Sequence, residues 1–333
     1  MNRPRIADLS LAAPHTRAQS SGARAERERR RTILVLGVED ALGLRTVERL
    51  AAAGQPLTVA GTRNALQRLR ARPVKVIDVA DPASVRAAIA RHEVICNLAR
   101  LTDTPQGHVG FALTAPRRRR RRALLAAIAD GLAVAKPDTR QIQRSSAALY
   151  TDGGDDWIAE DSPVQANDST ALAREAERVV SEHIRRSGGA IVLRFAQPYG
   201  PGDAWTERSV GLARRGWAPL EGPPEAYFPT VHLDDAAAAV GLALSAPSGH
   251  FNVADADPLT NEELNLAFAV AAGHDELHPL RSAFRFPDLE LLERSCRLDA
   301  QALERATGWT VTAAPSIASW LLQLNDQQDP KGP

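Results

Sequence analysis

The sequence predicts an α/β protein built on a doubly wound parallel sheet, with a smaller C-terminal lobe, and three observations carry that expectation. From Thr32 onward, apolar strand-like runs alternate with helical patterns, which favours a parallel sheet covered on both faces. The first run, "ILVLGVEDALGLRTVERL", Ile33 to Leu50, turns through glycine straight into an amphipathic helix. Such a strand, turn and helix form a ready anion cradle, because the unpaired N–H groups of the helix's first turn attract negative charge. After "YGPGD" the rhythm loosens, which marks the smaller lobe.

The elements follow in order. Strands are expected at Ile33 to Leu36, Leu57 to Ala60, Val74 to Val79 and Val94 to Leu98, with helices near Ala41 to Ala53 and Pro82 to Arg91 between them. Gly54 closes the first helix, and Asp81 caps the second by accepting from its free N–H groups. A helix near Arg117 to Ala129 comes next, then a strand at Arg140 to Arg144, a helix near Ser169 to Arg185 and the apolar strand Ala190 to Phe195. Helices near Asp234 to Leu244, Asn261 to Ala272 and Asp299 to Thr307, joined by turns and short strands such as "HFNVAD", make the second lobe. The boundaries read as a flexible extension over 1–31, a nucleotide-fold domain over 32–200, mainly the C-terminal substrate lobe over 201–325, and a tail over 326–333.

Composition excludes several classes. With 44% hydrophobic and 24% charged residues the chain is an ordinary globular protein. A net charge of +1 argues against nucleic acid as the general partner. The two cysteines, Cys96 and Cys296, offer neither a disulfide framework nor metal-ligand spacing, so no metal site is expected and reducing cytosol is the default. No apolar run reaches membrane-spanning length, and the Arg-rich first thirty-odd residues lack the apolar segment of a secretory signal, so a cytoplasmic location is expected.

Several stretches together resemble the extended short-chain dehydrogenase/reductase family, of the NAD-dependent epimerase/dehydratase type. They are "ILVLGVEDALG", "VICNLA", "SSAALY", "IVLRFAQPYGPGD", "TVHLDDAAAAVGLAL", "GHFNVADADPLTNEEL" and "LERATGW", in the family's order over about Thr32 to Leu322. The resemblance implies a Rossmann-type sheet. Its glycine turn, GxxGxxG, falls on Gly37, Asp40 and Gly43. The outer glycines keep the tight turn and the close helix-to-strand packing, whereas Asp40 adds bulk and charge where backbone should approach a pyrophosphate. Two unit charges about 4 Å apart interact by about 4 kcal/mol at an effective dielectric of about 20. Alternatively, the acids Glu39 and Asp40 cap the helix themselves, the favoured reading.

The resemblance also implies cofactor contacts at Arg63, Asp78 and Ala99. Arg63 in "AGTRN", with no acid for a ribose 2′-hydroxyl, would suit NADP better than NAD, or it is a solvated surface arginine. Asp78 matches a position that contacts adenine. Cofactor identity stays unknown, with NADP the dinucleotide left open.

In the family, a Tyr and a Lys four residues later pass a proton as hydride moves. That segment aligns with Thr170 and Arg174 here. Threonine has no accessible ionisation, and arginine stays charged. The tyrosines are Tyr150, Tyr199 and Tyr227 and the lysines Lys75, Lys136 and Lys331, so no Tyr-x-x-x-Lys pair exists anywhere in the sequence. Ser146 matches the family's catalytic serine. Tyr150 is either a surrogate acid or, the favoured reading, a packed aromatic. Arg174 either holds an anionic group or pairs with Glu177.

Further polar features stand out. "RQIQRSS" puts Gln141, Gln143 and Arg144 where a buried strand should be apolar, so the strand is partly exposed or lines a polar pocket. The run "PRRRRRR", Pro116 to Arg122, either meets an anionic substrate or forms a basic patch, solvated or facing a second subunit, and the patch is favoured. Phe228 and Pro229 stand where the family often has an arginine on a sugar-nucleotide diphosphate. His232 reads as structural, and Trp205, Trp217, Tyr227 and Phe228 could line an apolar cleft.

The preferred expectation is an enzyme that acts on a small molecule by non-redox chemistry, as an isomerase, lyase or cyclase, with Ser146, Tyr150, Arg144 and Arg174 stabilising an oxyanion. An NADP-dependent reductase or epimerase with a surrogate acid, and a catalytically silent binding or assembly subunit, are the alternatives. A homodimer is compatible with each.

Overall fold

The structure, a computed structural model, describes residues 31–69, 75–102, 114–186, 189–279 and 293–328. The expected N-terminal extension, Arg31 apart, and residues 329–333 of the tail lie outside the described residues.

Seven strands form the central sheet: β1 (Ile33–Leu36), β2 (Leu57–Gly61), β3 (Lys75–Asp78), β4 (Val94–Asn97), β5 (Arg140–Ser146), β6 (Ala190–Phe195) and β7 (Gly249–Val253). The order across the sheet is β7-β6-β5-β4-β1-β2-β3, parallel throughout. The helices are α1 (Ala41–Ala52), α2 (Arg63–Gln67), α3 (Pro82–Ile89), α4 (Thr114–Ala133), α5 (Ala171–Arg185), α6 (Ala204–Ala213), α7 (Leu233–Ala243), α8 (Asn261–Ala272), α9 (Gln301–Thr307) and α10 (Ile317–Gln328). The strand order reverses between β1 and β4, and in such sheets the crevice outside the strands' C-terminal ends at that reversal receives ligands.

Successive residues of a strand face opposite sides, so each strand feeds two cores. Val35, Cys96, Ile142 and Leu193 pack with Val47 and Leu50 of α1 and Val240 of α7. Leu34, Leu36 and Ile95 pack on the other face with Ile89 of α3 and Ile128 of α4. A separate apolar cluster joins Tyr199, Trp205, Leu264, Phe268, Ile317 and Leu321, from α6, α8, α10 and the loop after β6. Each fully buried Leu, Ile or Phe contributes roughly 1.5–3 kcal/mol, so these clusters hold the layers together.

One local expectation is corrected. The helix carrying the arginine run includes Thr114, three residues before Arg117, so the run occupies the second and third turns. Of the two alternatives for the strand holding the glutamines, its C-terminal end meets the second, because Arg144, Ser145 and Ser146 line a cleft, while the glutamines themselves are buried. Gln141 and Gln143 are fully buried and partner one another: Asn97 Nδ2 donates to Gln143 Oε1 at 2.9 Å, Gln141 Nε2 to the same oxygen at 3.3 Å, and Gln143 Nε2 to the Arg144 carbonyl at 2.7 Å. β5 and β4 are in register at Asn97 and Gln143, which is why a polar pair survives inside an apolar sheet.

Candidate functional site

At the C-terminal end of β1 the chain turns through Gly37, which has φ of 86°. A Cβ there would lie 2.0 Å from the Ala99 nitrogen, and one on Gly43 would lie 2.1 Å from the Gly37 carbonyl oxygen. Both glycines are therefore required by close backbone approach, as the sequence pattern implied.

The middle of the turn is filled by the chain's own acids. Asp40 is the N-cap of α1 and accepts the Gly43 N–H through Oδ1 at 3.1 Å. Its other oxygen pairs with Arg144 Nη1 at 2.6 Å. Glu39 reaches across to β2, where Oε1 accepts the Thr62 N–H at 3.0 Å, at the start of α2. The cradle that would hold a pyrophosphate thus has its Gly43 N–H already taken by the Asp40 carboxylate, with the Glu39 carboxylate beside it engaged at the start of α2. As arranged, these residues do not fit a dinucleotide. Arg63 begins α2 and is exposed; Asp78 is exposed and accepts the Ala80 N–H at 2.9 Å; the Ala99 N–H goes to Asn97 Oδ1 at 3.3 Å.

Arg144 is only 7% exposed. Besides Asp40, its Nη1 donates to the Leu98 carbonyl at 3.1 Å, so both bonds run through one nitrogen, and Arg144 lines the adjoining cleft. This cleft encloses about 1050 Å³ of empty space, open solvent at its mouth included. Its polar lining includes Arg100, Arg144, Arg294 and Ser146; Phe195, Trp205, Phe228 and Pro229 supply apolar walls, and among the described residues no carboxylate lines it. Trp205 and Phe228 stack with ring centroids 5.7 Å apart. Arg121, from the arginine run, donates from Nη1 to the carbonyl of Thr102, another lining residue, at 3.4 Å.

Ser146 ends β5, and its Oγ accepts the Ala148 N–H at 3.2 Å, which turns the hydroxyl toward the cleft with its proton left to donate. Burial and the neighbouring Arg144 charge pull the Arg100 pKa down to about 10, so it remains a cation at neutral pH. Burial pushes the Cys296 thiol up to about 12.

Of the other candidate catalytic residues, Tyr150 also borders the cleft, whereas Thr170 and Arg174 are not among its lining residues. Tyr150 is 1% exposed; its hydroxyl donates to Asn252 Oδ1 at 2.7 Å and accepts from Arg194 Nη1 at 3.0 Å. Burial, offset in part by Arg194, raises its pKa to about 12. Its hydroxyl is engaged in a buried network, in keeping with the packed aromatic that the sequence reading favoured, although the residue also borders the cleft. Thr170 is fully buried and closes a turn with Asn167, accepting its N–H at 3.0 Å and contacting its Oδ1 at 3.1 Å, so it does not reach the cleft. Arg174 pairs with Glu177 Oε2 at 3.1 Å from a side chain 45% exposed, as the spacing allowed.

Glu177 centres the network that the sequence did not reveal. It is 1% exposed and accepts from Arg194 Nε and Nη2, each at 2.9 Å, and from the Ser145 hydroxyl at 2.7 Å. Burial alone would raise its pKa, but the Arg194 hydrogen bonds and charge outweigh that and leave it below the ordinary carboxylate range. An arginine inside "IVLRFAQ" was the available signal, since a buried strand guanidinium demands an acid. Arg100 was also missed; its position just past β4, at the ligand-receiving ends of the strands, was the clue.

The remaining aromatics separate. Tyr227 packs against Arg297, whose guanidinium lies 5.0 Å from its ring, and Trp217 meets His278 at 6.2 Å; only Trp205 and Phe228 of the four join the cleft. His232 caps α7 through Nδ1, accepting the Asp234 N–H at 3.2 Å, and burial lowers its pKa. Among the described residues no cluster could hold a metal ion, and no helix is long and apolar enough to cross a membrane.

The profile described as the NAD dependent epimerase/dehydratase family matches residues 33–254. No curated protein matches the sequence. Among solved structures, UDP-glucose 4-epimerase of Thermus thermophilus in complex with NAD is 19% identical, with a TM-score of 0.67, covering 90% of this chain and 100% of that one. The human epimerase family protein SDR39U1 with NADPH is 20% identical, with a TM-score of 0.68 and coverage of 89% and 99%. dTDP-glucose 4,6-dehydratase from Bacillus anthracis in complex with NAD is 14% identical, with a TM-score of 0.70 and coverage of 90% and 96%. At these identities the likeness speaks for the fold.

Proposed function

The chain belongs to the NAD dependent epimerase/dehydratase family, and from that premise we propose that it is an atypical enzyme of the family, acting on a small molecule by non-redox chemistry. The observation that carries this reading is the Asp40–Arg144 ion pair at 2.6 Å across the glycine turn. It places a carboxylate where a diphosphate would have to come and ties that carboxylate to the strand that ends in Ser146.

The cleft beside it supports electrostatic catalysis. Ser146 offers a hydroxyl proton, and Arg100 and Arg144 offer fixed positive charge, to an oxygen on which negative charge develops in an isomerisation, elimination or ring closure. Arginine keeps its proton, and the Tyr150 hydroxyl and Cys296 thiol both titrate near 12. With these groups holding their protons at neutral pH, the reading assigns proton movement to the substrate or to water. Thr170 and Arg174, at the positions of the family's proton-transferring pair, are engaged with Asn167 and Glu177 instead.

Thermal unfolding with and without micromolar NAD(H) or NADP(H) tests the proposal. A ligand that binds only the folded state raises the midpoint, so an unmoved midpoint is expected. A saturable rise with NADP(H) would instead favour the reductase alternative, for which the retained Gly37 and Gly43 frame is the supporting feature.

A further inference from the structure

Arg100, Arg144 and Arg294 line the cleft, and no Asp or Glu does among the described residues. Two carboxylates act on these arginines without lining the cleft: Asp40 caps α1 and pairs with Arg144 at 2.6 Å, and Asp203, which accepts the Thr206 N–H at 2.9 Å, acts with Asp40 on the Arg100 charge. Arg121 adds a further cation at the Thr102 edge. The Trp205–Phe228 stack and Phe195 with Pro198 and Pro229 supply apolar lining to the same cleft. A cleft lined by guanidinium groups and by flat rings suits a molecule that carries both an acid and an apolar body.

We infer that the substrate is a small amphipathic acid, with a carboxylate or phosphate head held between Arg100 and Arg144 and a flat apolar body against Trp205 and Phe228. Nε and Nη2 of Arg144 carry no other partner among the described residues, so its guanidinium can meet an anion without first giving up Asp40. Arg100 keeps its charge at neutral pH, because its lowered value of about 10 still leaves it protonated. A hydrogen bond between charged groups in a largely buried site contributes roughly 1.5–3 kcal/mol, or about 10- to 100-fold in affinity.

The inference rests on the reading of the cleft as a small-molecule site, yet the two fail separately. Isothermal titration of the full chain with 2-naphthoate, 2-naphthyl phosphate and uncharged 2-naphthamide tests it. The tighter anion is expected to bind at least about tenfold more strongly than the amide, and to weaken as salt rises, as charge pairing requires. Preference for naphthoate identifies a carboxylate head, and preference for the naphthyl phosphate a phosphate head. Arg100→Gln should remove about tenfold or more of the anion's affinity and leave the amide's unchanged, whereas Trp205→Ala should weaken both. The salt dependence is read on the unaltered protein, so a variant that fails to fold leaves the test intact. Equal affinity for acid and amide, no binding by either, or a salt-independent preference would overturn the inference. Stabilisation by NADP(H) would refute the non-redox reading whatever these probes do.

Discussion

Replacing Asp40 with glycine restores the family's turn and breaks the ion pair at its centre. The capping loss is small, because glycine is itself tolerated at an N-cap and costs only a few tenths of a kcal/mol relative to aspartate. The larger effect falls on Arg144, which is 8% exposed at its side chain and retains only the Leu98 carbonyl once Asp40 is gone. Removing one partner of a fully buried pair costs roughly 3–5 kcal/mol. Asp40 is 28% exposed, so solvent screens the pair and about 1–3 kcal/mol is the expected loss. For a chain of this size that lowers the unfolding midpoint by roughly 1–4 °C. Urea denaturation of the wild type, Asp40→Gly, Arg144→Gln and the double variant closes a thermodynamic cycle, with a coupling energy of about 1–2 kcal/mol expected. Additive effects within a few tenths would refute the pairing. The same Asp40→Gly protein should gain affinity for NAD(P)(H), since it removes the carboxylate nearest the pyrophosphate position.

Other consequences are equally open to measurement. Burial raises the Asp255 pKa to about 7, although Thr230 and His232 donate to it at 2.9 and 3.2 Å. The folded state then holds a proton that the unfolded chain releases near pH 4, so stability falls as pH rises from about 4 to 7, by roughly 4 kcal/mol in total, and levels off above. Asp255→Asn should flatten that slope in urea titrations at a series of pH values. Tyr150→Phe strips a partner from Arg194 and Asn252 and should cost about 1–3 kcal/mol of stability, with turnover unchanged once an assay exists. Glu177→Gln leaves Arg194 buried and under-compensated, a loss of roughly 3–5 kcal/mol seen as a lower denaturant midpoint, and pairing it with Arg194→Met should recover part of it. Ser146→Ala should lower turnover by about 10²–10³-fold while moving the midpoint little.

The sequence carried the strands and the glycine frame because those signals are local. Ile33 to Leu36 and Asn261 to Ala272 were read to the residue, and the requirement for Gly43 follows from a contact within one turn, whereas that for Gly37 also involves the distant Leu98 and Ala99 backbone. What stayed hidden involves partners far apart in the chain. Asp40 and Arg144 are 104 positions apart, so the anomaly of each was visible and their pairing was not. Gln141 and Gln143 were recognisable as misfits in a buried strand, but their resolution needed the register that sets Asn97 opposite Gln143. Tyr150 shows a different limit: a strand-end aromatic can face the cleft or the core, and only the positions of Arg194 and Asn252 decide which. For Arg174 the sequence left two readings open, and the pair with Glu177 was one of them, because a helix places its i+3 neighbour within reach; that Glu177 is itself buried was not visible.

The central claim is that the chain's own charges have taken over the turn and that no hydride chemistry runs beside it. Following nicotinamide absorbance while purified protein, NADPH or NADH and a range of carbonyl compounds are mixed tests this most directly. A flat trace at every enzyme concentration is expected, and a steady decline proportional to enzyme, abolished by Ser146→Ala, would contradict it.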